Sequence, residues 1–121
     1  MISDEIHADF VYEGYTHHVF ANIKPEFEAI SVTCTAPSKT FNLAGLQVSN
    51  IFIPNIKLRK KFQLEMERSG SNQVGIMGLV SCQAAYQYGE AWLSELNTYL
   101  ASNLSFIRNF LSENLPEIHL I

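Results

Sequence analysis

Apolar and polar positions along the chain change their spacing partway through. At the start, "MISDEIHADF" mixes apolar and acidic residues in short alternation, as where a strand end passes into a loop. "VYEGYTHHVFANIKPEF" (11–27) holds Gly14, Pro25 and several polar residues, which predicts a long loop with a short helix near Pro25, because proline suits a first helical turn. "AISVTCTA" (29–36) is short and β-branched, the pattern of a buried strand, and "LQVSNIFIP" (46–54) predicts a further strand closed by Pro54. The spacing then becomes helical. Residues 56–68 place Leu58, Phe62, Leu64 and Met66 on one side, and Gly70 stops that helix. "QVGIMGLVSCQAAYQYG" (73–89) is apolar nearly all round, which predicts a buried helix ending near Gly89. From Glu90 to Leu115, Trp92, Leu96, Tyr99, Leu100, Ile107, Phe110 and Leu111 recur at three- and four-residue steps of one long helix. Pro116 ends it, and "EIHLI" reads as the beginning of another strand.

Three short strands followed by three helices is an α/β order with a thin sheet. Strands that open and close a chain in this way need neighbours on both sides, so the pattern reads as part of a larger protein. A length of 121 residues suits one domain, and 47% hydrophobic with 17% charged residues is ordinary for a core-forming chain. The net charge of −4 offers no electrostatic basis for binding nucleic acid or an anionic membrane. The one basic cluster, "KLRKK" (57–61), reads as the solvated face of its helix. Cys34 and Cys82 make no CxxC spacing, and the acidic start is unlike a secretory leader, so both thiols are expected to be reduced and the protein cytoplasmic. No apolar run approaches the roughly twenty residues of a membrane helix.

Against this background "TCTAPSKTFNLAG" (33–45) stands out, because it carries a single cation, Lys39, into a turn of small and hydroxylated residues. Lys39 reads either as a solvated side chain or as an amine put to chemical use. Amine chemistry on a carbonyl compound needs the neutral form, which desolvation or nearby positive charge favours. The hydroxyls of Thr35, Ser38 and Thr40 are placed to bond a phosphate, which also accepts backbone N–H groups. Asp4, Glu5 and His7 fall at a strand end, a common position for functional side chains in α/β folds, or else are solvated residues at a loop edge. His7, His17 and His18 with Glu13 lack the short spacings of zinc sites. His119, alone among apolar residues, reads as structural.

The ordered pair of motifs narrows the choice. "SDEIH" (3–7), then "TAPSKTFNLAGL" (35–46) about thirty residues later, closely resembles the fold-type I PLP-dependent enzymes. Within them the chain looks most like the cystathionine β-lyase and cysteine–sulfur lyase branch of the class I/II aminotransferase superfamily. "SDEIHADFVY", "PSKTFNLAGLQVSNIFIPN" and "GLVSCQAAYQYGEAWL" carry that likeness over most of the chain. The resemblance implies that pyridoxal 5'-phosphate is held by Lys39, Asp4, His7, Ser38 and Thr35. Lys39 would be the amine that binds the cofactor and later moves the substrate's α-proton, and Asp4 would keep the pyridine nitrogen protonated. His7 stands where many aminotransferases carry a tyrosine, a departure that leans toward the lyase branch. Gln47 stands where aminotransferases place a phosphate-holding arginine eight residues after the lysine, so Ser38 and Thr35 would carry more of that work.

The implied fold is a partial three-layer PLP-transferase large domain. Residues 1–88 would form the C-terminal part of the cofactor-binding domain, and 89–121 the long linking helix and start of the small domain. The implied activity is β-elimination from a sulfur amino acid, giving a thiol, pyruvate and ammonia; transamination and a non-catalytic fragment are the alternatives. Family chains are several-fold longer, and their phosphate loop, ring-stacking aromatic and substrate-binding arginine have no counterpart here. The chain by itself is therefore expected to be inactive, and to form a homodimer or otherwise self-associate through its uncovered apolar surfaces.

Overall fold

Among residues 1–120, which the computed structural model describes, three strands form one sheet: β1 (Ile2–Asp4), β2 (Val32–Thr35) and β3 (Asn50–Phe52), in that order. β1 and β2 run parallel with Asp4 opposite Cys34, and β3 returns antiparallel with Asn50 opposite Thr35. Parallel neighbours need a long crossover. It is supplied by a loop and two one-turn helices, α1 (Phe20–Ile23) and α2 (Pro25–Glu28), the second starting on Pro25 as its fixed φ favours. Phe20 and Phe27 stack with ring centroids 4.6 Å apart, and the fully buried Ser31 bonds the Phe27 carbonyl where the crossover enters β2. β2 is less enclosed than its β-branched sequence predicts. Thr33 is buried while Val32, Cys34 and Thr35 are half-buried.

The link from β2 to β3 is compact: one helical turn, α3 (Pro37–Thr40), then a 3-10 turn over Ala44–Leu46. Its two reversals put Asn42 and Gln47 in the left-handed region, at φ 54° and 50°. Asparagine tolerates that conformation through its short polar side chain; glutamine is less often found there.

Three longer helices follow. α4 (Ile56–Ser69) is capped by Asn55, whose Oδ1 accepts from the amides of Lys57 and Leu58, and it stops at Gly70 with φ 68°. Leu58, Phe62 and Met66, four residues apart, form its half-buried stripe. Leu64 does not join them and is 46% exposed, because two residues beyond Phe62 the helix has turned by roughly 200°.

α5 (Ile76–Tyr88) is not the buried helix its composition predicts. Gly78 and Cys82 are its buried residues, while Ile76, Met77, Leu79 and Val80 are largely exposed. Its inner side packs closely: a Cβ on Gly78 would lie 2.9 Å from the Leu46 carbonyl oxygen. Among the described residues nothing covers its other side. α6 (Glu90–Asn114) keeps Leu93, Leu96, Leu100 and Leu104 half-buried along one stripe, and Phe106 and Phe110 open. Residues 117–120 follow Pro116 as a turn and irregular chain and form no strand, so the expected strand is not there, and Ile121 lies outside the described residues. The core is small, built from Ala36, Pro37, Val48, Ile53 and Cys82 around the lysine-bearing turn.

Candidate functional site

The parallel pair β1–β2 sets the site, because its two strands end side by side and each chain continues at once into candidate residues. Asp4 closes β1 and Thr35 closes β2. Asp4 is exposed, and Oδ1 accepts the Ile6 N–H at 3.2 Å, which fixes the carboxylate at the turn. Across the ladder, burial and then the nearby Asp4 carboxylate push the Cys34 thiol above its usual value. His7 follows in the same turn, exposed, its ring 5.9 Å from that of Phe10.

On the β2 side Ala36 and Pro37 are buried, and α3 starts on Pro37 without a side-chain cap. Ser38 is half-buried and Lys39 exposed. Among the described residues the ion pairs are Glu5–His17 and Glu65–Arg68, so no carboxylate engages the Lys39 amine. The backbone around it is closed by Phe41 N–H to Pro37 O at 2.9 Å, Leu43 N–H to Ser38 O at 3.1 Å and Asn42 N–H to Lys39 O at 3.4 Å.

Thr40 does not point toward a phosphate as its neighbours suggest. It is 1% exposed, and its hydroxyl donates to Asp9 Oδ2 at 2.6 Å. The Thr40 carbonyl accepts from Trp92 Nε1 at 3.1 Å, and the Asp9 carbonyl accepts from Asn97 Nδ2 at 3.1 Å. Phe41 meets Tyr86 edge-on at 5.8 Å and lies against Gly89, where a Cβ would come within 2.3 Å of its ring. The first turns of α6 thus hold both the loop after β1 and the lysine turn after β2.

Beside this lies a cleft of about 430 Å³, lined by Asp9, Thr35, Asn50, Phe52 and Tyr86 among others. It touches the candidate set through Thr35, and Asp4, His7, Ser38 and Lys39 are not in its wall. Although 49% of Tyr86 is exposed, desolvation of its phenol, and after it the nearby Asp9 carboxylate, raise its pKa above the usual tyrosine value. Glu5, also at the cleft, is buried; the Ser3 hydroxyl at 2.6 Å, then His17 at 2.5 Å, hold its carboxyl below the ordinary range against the opposing effect of burial. His17 is committed to Glu5, and among the described residues no three His, Cys, Asp or Glu side chains gather as a metal site would require.

The structure therefore brings Asp4, Thr35, Ser38 and Lys39 to adjacent strand ends, with His7 one turn away. Reasoning from sequence missed Asp9, Trp92, Asn97 and the structural use of Thr40. Asn97 had a signal: it is a polar residue on the half-buried stripe of α6, beside Leu93, Leu96 and Leu100. Both cysteines are free thiols, and among the described residues no helix is long and apolar enough to cross a membrane.

The chain is similar to known proteins over nearly its whole length. The cystathionine beta-lyase PatB of Bacillus subtilis is 43% identical over 121 residues, all of this chain but 31% of that protein. A PLP-bound structure from Clostridium difficile 630 is 40% identical with a TM-score of 0.91, over 95% of this chain and 30% of that one. The PLP-bound C-S lyase of Staphylococcus hominis is 38% identical with a TM-score of 0.85, over 95% of this chain and 28% of that one. The α/β fold is thus that of PLP-dependent aminotransferase-like enzymes, and the chain spans about 30% of the length of these relatives. The sequence model of aminotransferase class I and II matches residues 1–119, and the chain belongs to that family.

Proposed function

We propose that this chain is the lysine-bearing segment of a PLP-dependent carbon–sulfur β-lyase acting on a sulfur amino acid such as cystathionine. The observation that carries the reading is the placement of an unengaged amine, Lys39, and a carboxylate, Asp4, at the ends of adjacent parallel strands, where α/β folds bind ligands. The donor set fits the cofactor. Lys39 offers an amine to an aldehyde, Asp4 a carboxylate to a pyridinium, His7 a donor to a phenolic oxygen, and Ser38 and Thr35 hydroxyls to a phosphate. When bound, PLP supplies an electron sink for negative charge developing at the substrate's α-carbon.

The chain's own residues contribute holding and proton movement. Asp4, kept in place by the Ile6 amide, would hold a proton on the pyridine nitrogen of the bound cofactor, because opposite charges stabilise the ionised pair. Lys39, exposed and without an ion-pair partner among the described residues, would be the group that takes the α-proton from the substrate. The C–S bond would then break, the thiolate leaving with the sulfur's electron pair and taking up a proton, and hydrolysis of the remaining enamine by one water would give pyruvate and ammonia. The left-handed, exposed Gln47 offers no cation to a phosphate, which favours this reading over transamination. We assign 1–88 to the cofactor-binding domain and 89–121 to the linking helix and start of the next domain. We place the protein in the cytoplasm and expect the chain to associate with itself through its open apolar faces.

Two measurements test the reading. Residues 1–119 are grafted in place of the matching segment of the Bacillus relative, and pyruvate release from cystathionine is followed. Turnover that vanishes in Lys39→Ala supports the assignment; amino transfer to a keto acid without pyruvate sinks the lyase. The chain alone, mixed with PLP, should show little Lys39-dependent absorbance at about 420 nm.

A further inference from the structure

The lysine turn is too short to hold itself. Four residues of helix, with no side-chain cap, lie below the length at which an isolated helix persists. Yet the catalytic candidate sits at its third position, and among the described residues its side chain makes no ion pair that would hold the turn in place. What fixes it comes from the next residue. Thr40 is fully buried and is gripped twice, by Asp9 at its hydroxyl and by Trp92 at its carbonyl. Asp9 is itself gripped by Asn97, and it lies five residues beyond Asp4 and two beyond His7, in the loop those residues occupy. The Thr40–Asp9 bond is therefore a direct side-chain link between the segment carrying the amine and the segment carrying its partner carboxylate.

We infer that Thr40 and Asp9 form a positioning pair that sets Lys39 against Asp4 and His7, with Trp92 and Asn97 of α6 holding the pair from behind. Neither residue touches the reacting atoms; both act through the backbone they fix. A hydrogen bond to a carboxylate is among the stronger kinds, and Asp9 is half-buried, so losing the Thr40 hydroxyl removes a bond made away from bulk water at the Thr40 end. The assignment to catalysis rests on the PLP reading above, whereas the mechanical link rests on the bonds themselves.

The test follows amide hydrogen exchange in the full chain at Phe41 and Leu43, whose N–H groups close the lysine turn, with amides of α5 as internal reference. Thr40→Val, which keeps shape and removes the donor, should speed exchange at these two amides by about tenfold or more relative to α5. Thr40→Ser, which restores the hydroxyl, should return it to the parent rate. Asp9→Leu should match Thr40→Val, and the double variant should add nothing further, since the two act as one unit. Unchanged exchange in Thr40→Val, or additive effects in the double variant, overturns the inference. If Thr40→Val loosens α5 equally, Thr40→Ser against Asp9→Leu decides: parent-like protection in the first and loss in the second supports the pair, and equal values refute it.

Reaction with PLP followed by borohydride, read by peptide mass at Lys39 relative to Lys57 across pH, gives the second readout. The pair predicts a pH profile for Lys39 that shifts in Thr40→Val and returns in Thr40→Ser; one profile for all three refutes its bearing on the amine. Lys39→Ala should leave the exchange rates at parent values. If the graft of residues 1–119 into the Bacillus relative gives no Lys39-dependent pyruvate while exchange responds as above, the PLP reading is what fails.

Discussion

On its inner side α5 presents Gly78 and Cys82 to the 3-10 turn and to Asn50, close enough that an added methyl at Gly78 has no room. On its outer side Ile76, Met77, Leu79 and Val80 are between 52% and 75% exposed. The outer residues are the larger and more apolar, yet the inner ones do the packing. Tight approach of backbone to backbone, which small residues allow, is what joins α5 to the 3-10 turn that follows the lysine turn. Bulk without a facing surface contributes little to folding and leaves apolar area open to association.

Substitutions on the two sides should separate sharply. The largest effect belongs to Gly89→Ala, whose Cβ would meet both the Ala85 carbonyl oxygen and the Phe41 ring at 2.3 Å. It should cost about 3 kcal/mol of stability by urea unfolding, as overpacking does. Next comes Glu5→Gln, expected to remove about 2 kcal/mol near neutral pH by weakening bonds from Ser3 and His17 to a buried carboxylate. Because the folded value of Glu5 lies below 4.5, the unfolded chain takes up its proton first as pH falls. The contribution is therefore complete above pH 4.5 and is lost on descending through the folded value, so parent and variant should converge in acid. Asn55→Ala, away from both sides of α5, should cost about 1 kcal/mol through the lost helix cap. Met77→Gln on the outer side should change stability by less than about 0.5 kcal/mol while lowering the association seen by sedimentation velocity. A large loss of stability at Met77 would contradict the contrast between the two sides.

How much of this was legible in the sequence depended on the range of the interaction. The helix stops at Gly70 and Gly89 could be read, because such stops are local chemistry. The strand ends at Asp4 and Thr35 could be read for the same reason, and the family likeness tied them to Lys39. Burial could not. The apolar run at 73–89 predicted an enclosed helix, but enclosure depends on what lies opposite, which a residue does not encode by itself. The Thr40–Asp9 bond spans 31 positions and the Asn97–Asp9 bond 88, distances at which no periodicity speaks. The polar Asn97 within the leucine stripe was the trace such a bond leaves.

Gly89 gives the meeting of α5 and α6 a mechanical meaning. α6 runs 25 residues from that point, roughly 37 Å of rigid rod, while Asn97 lies about 12 Å along it. A tilt pivoting at Gly89 that carries the far end through ~3 Å moves the Asn97 tie by ~1 Å. The helix is thus a lever of about three to one, whose short arm grips the loop of Asp9 and, through Trp92, the turn of Lys39.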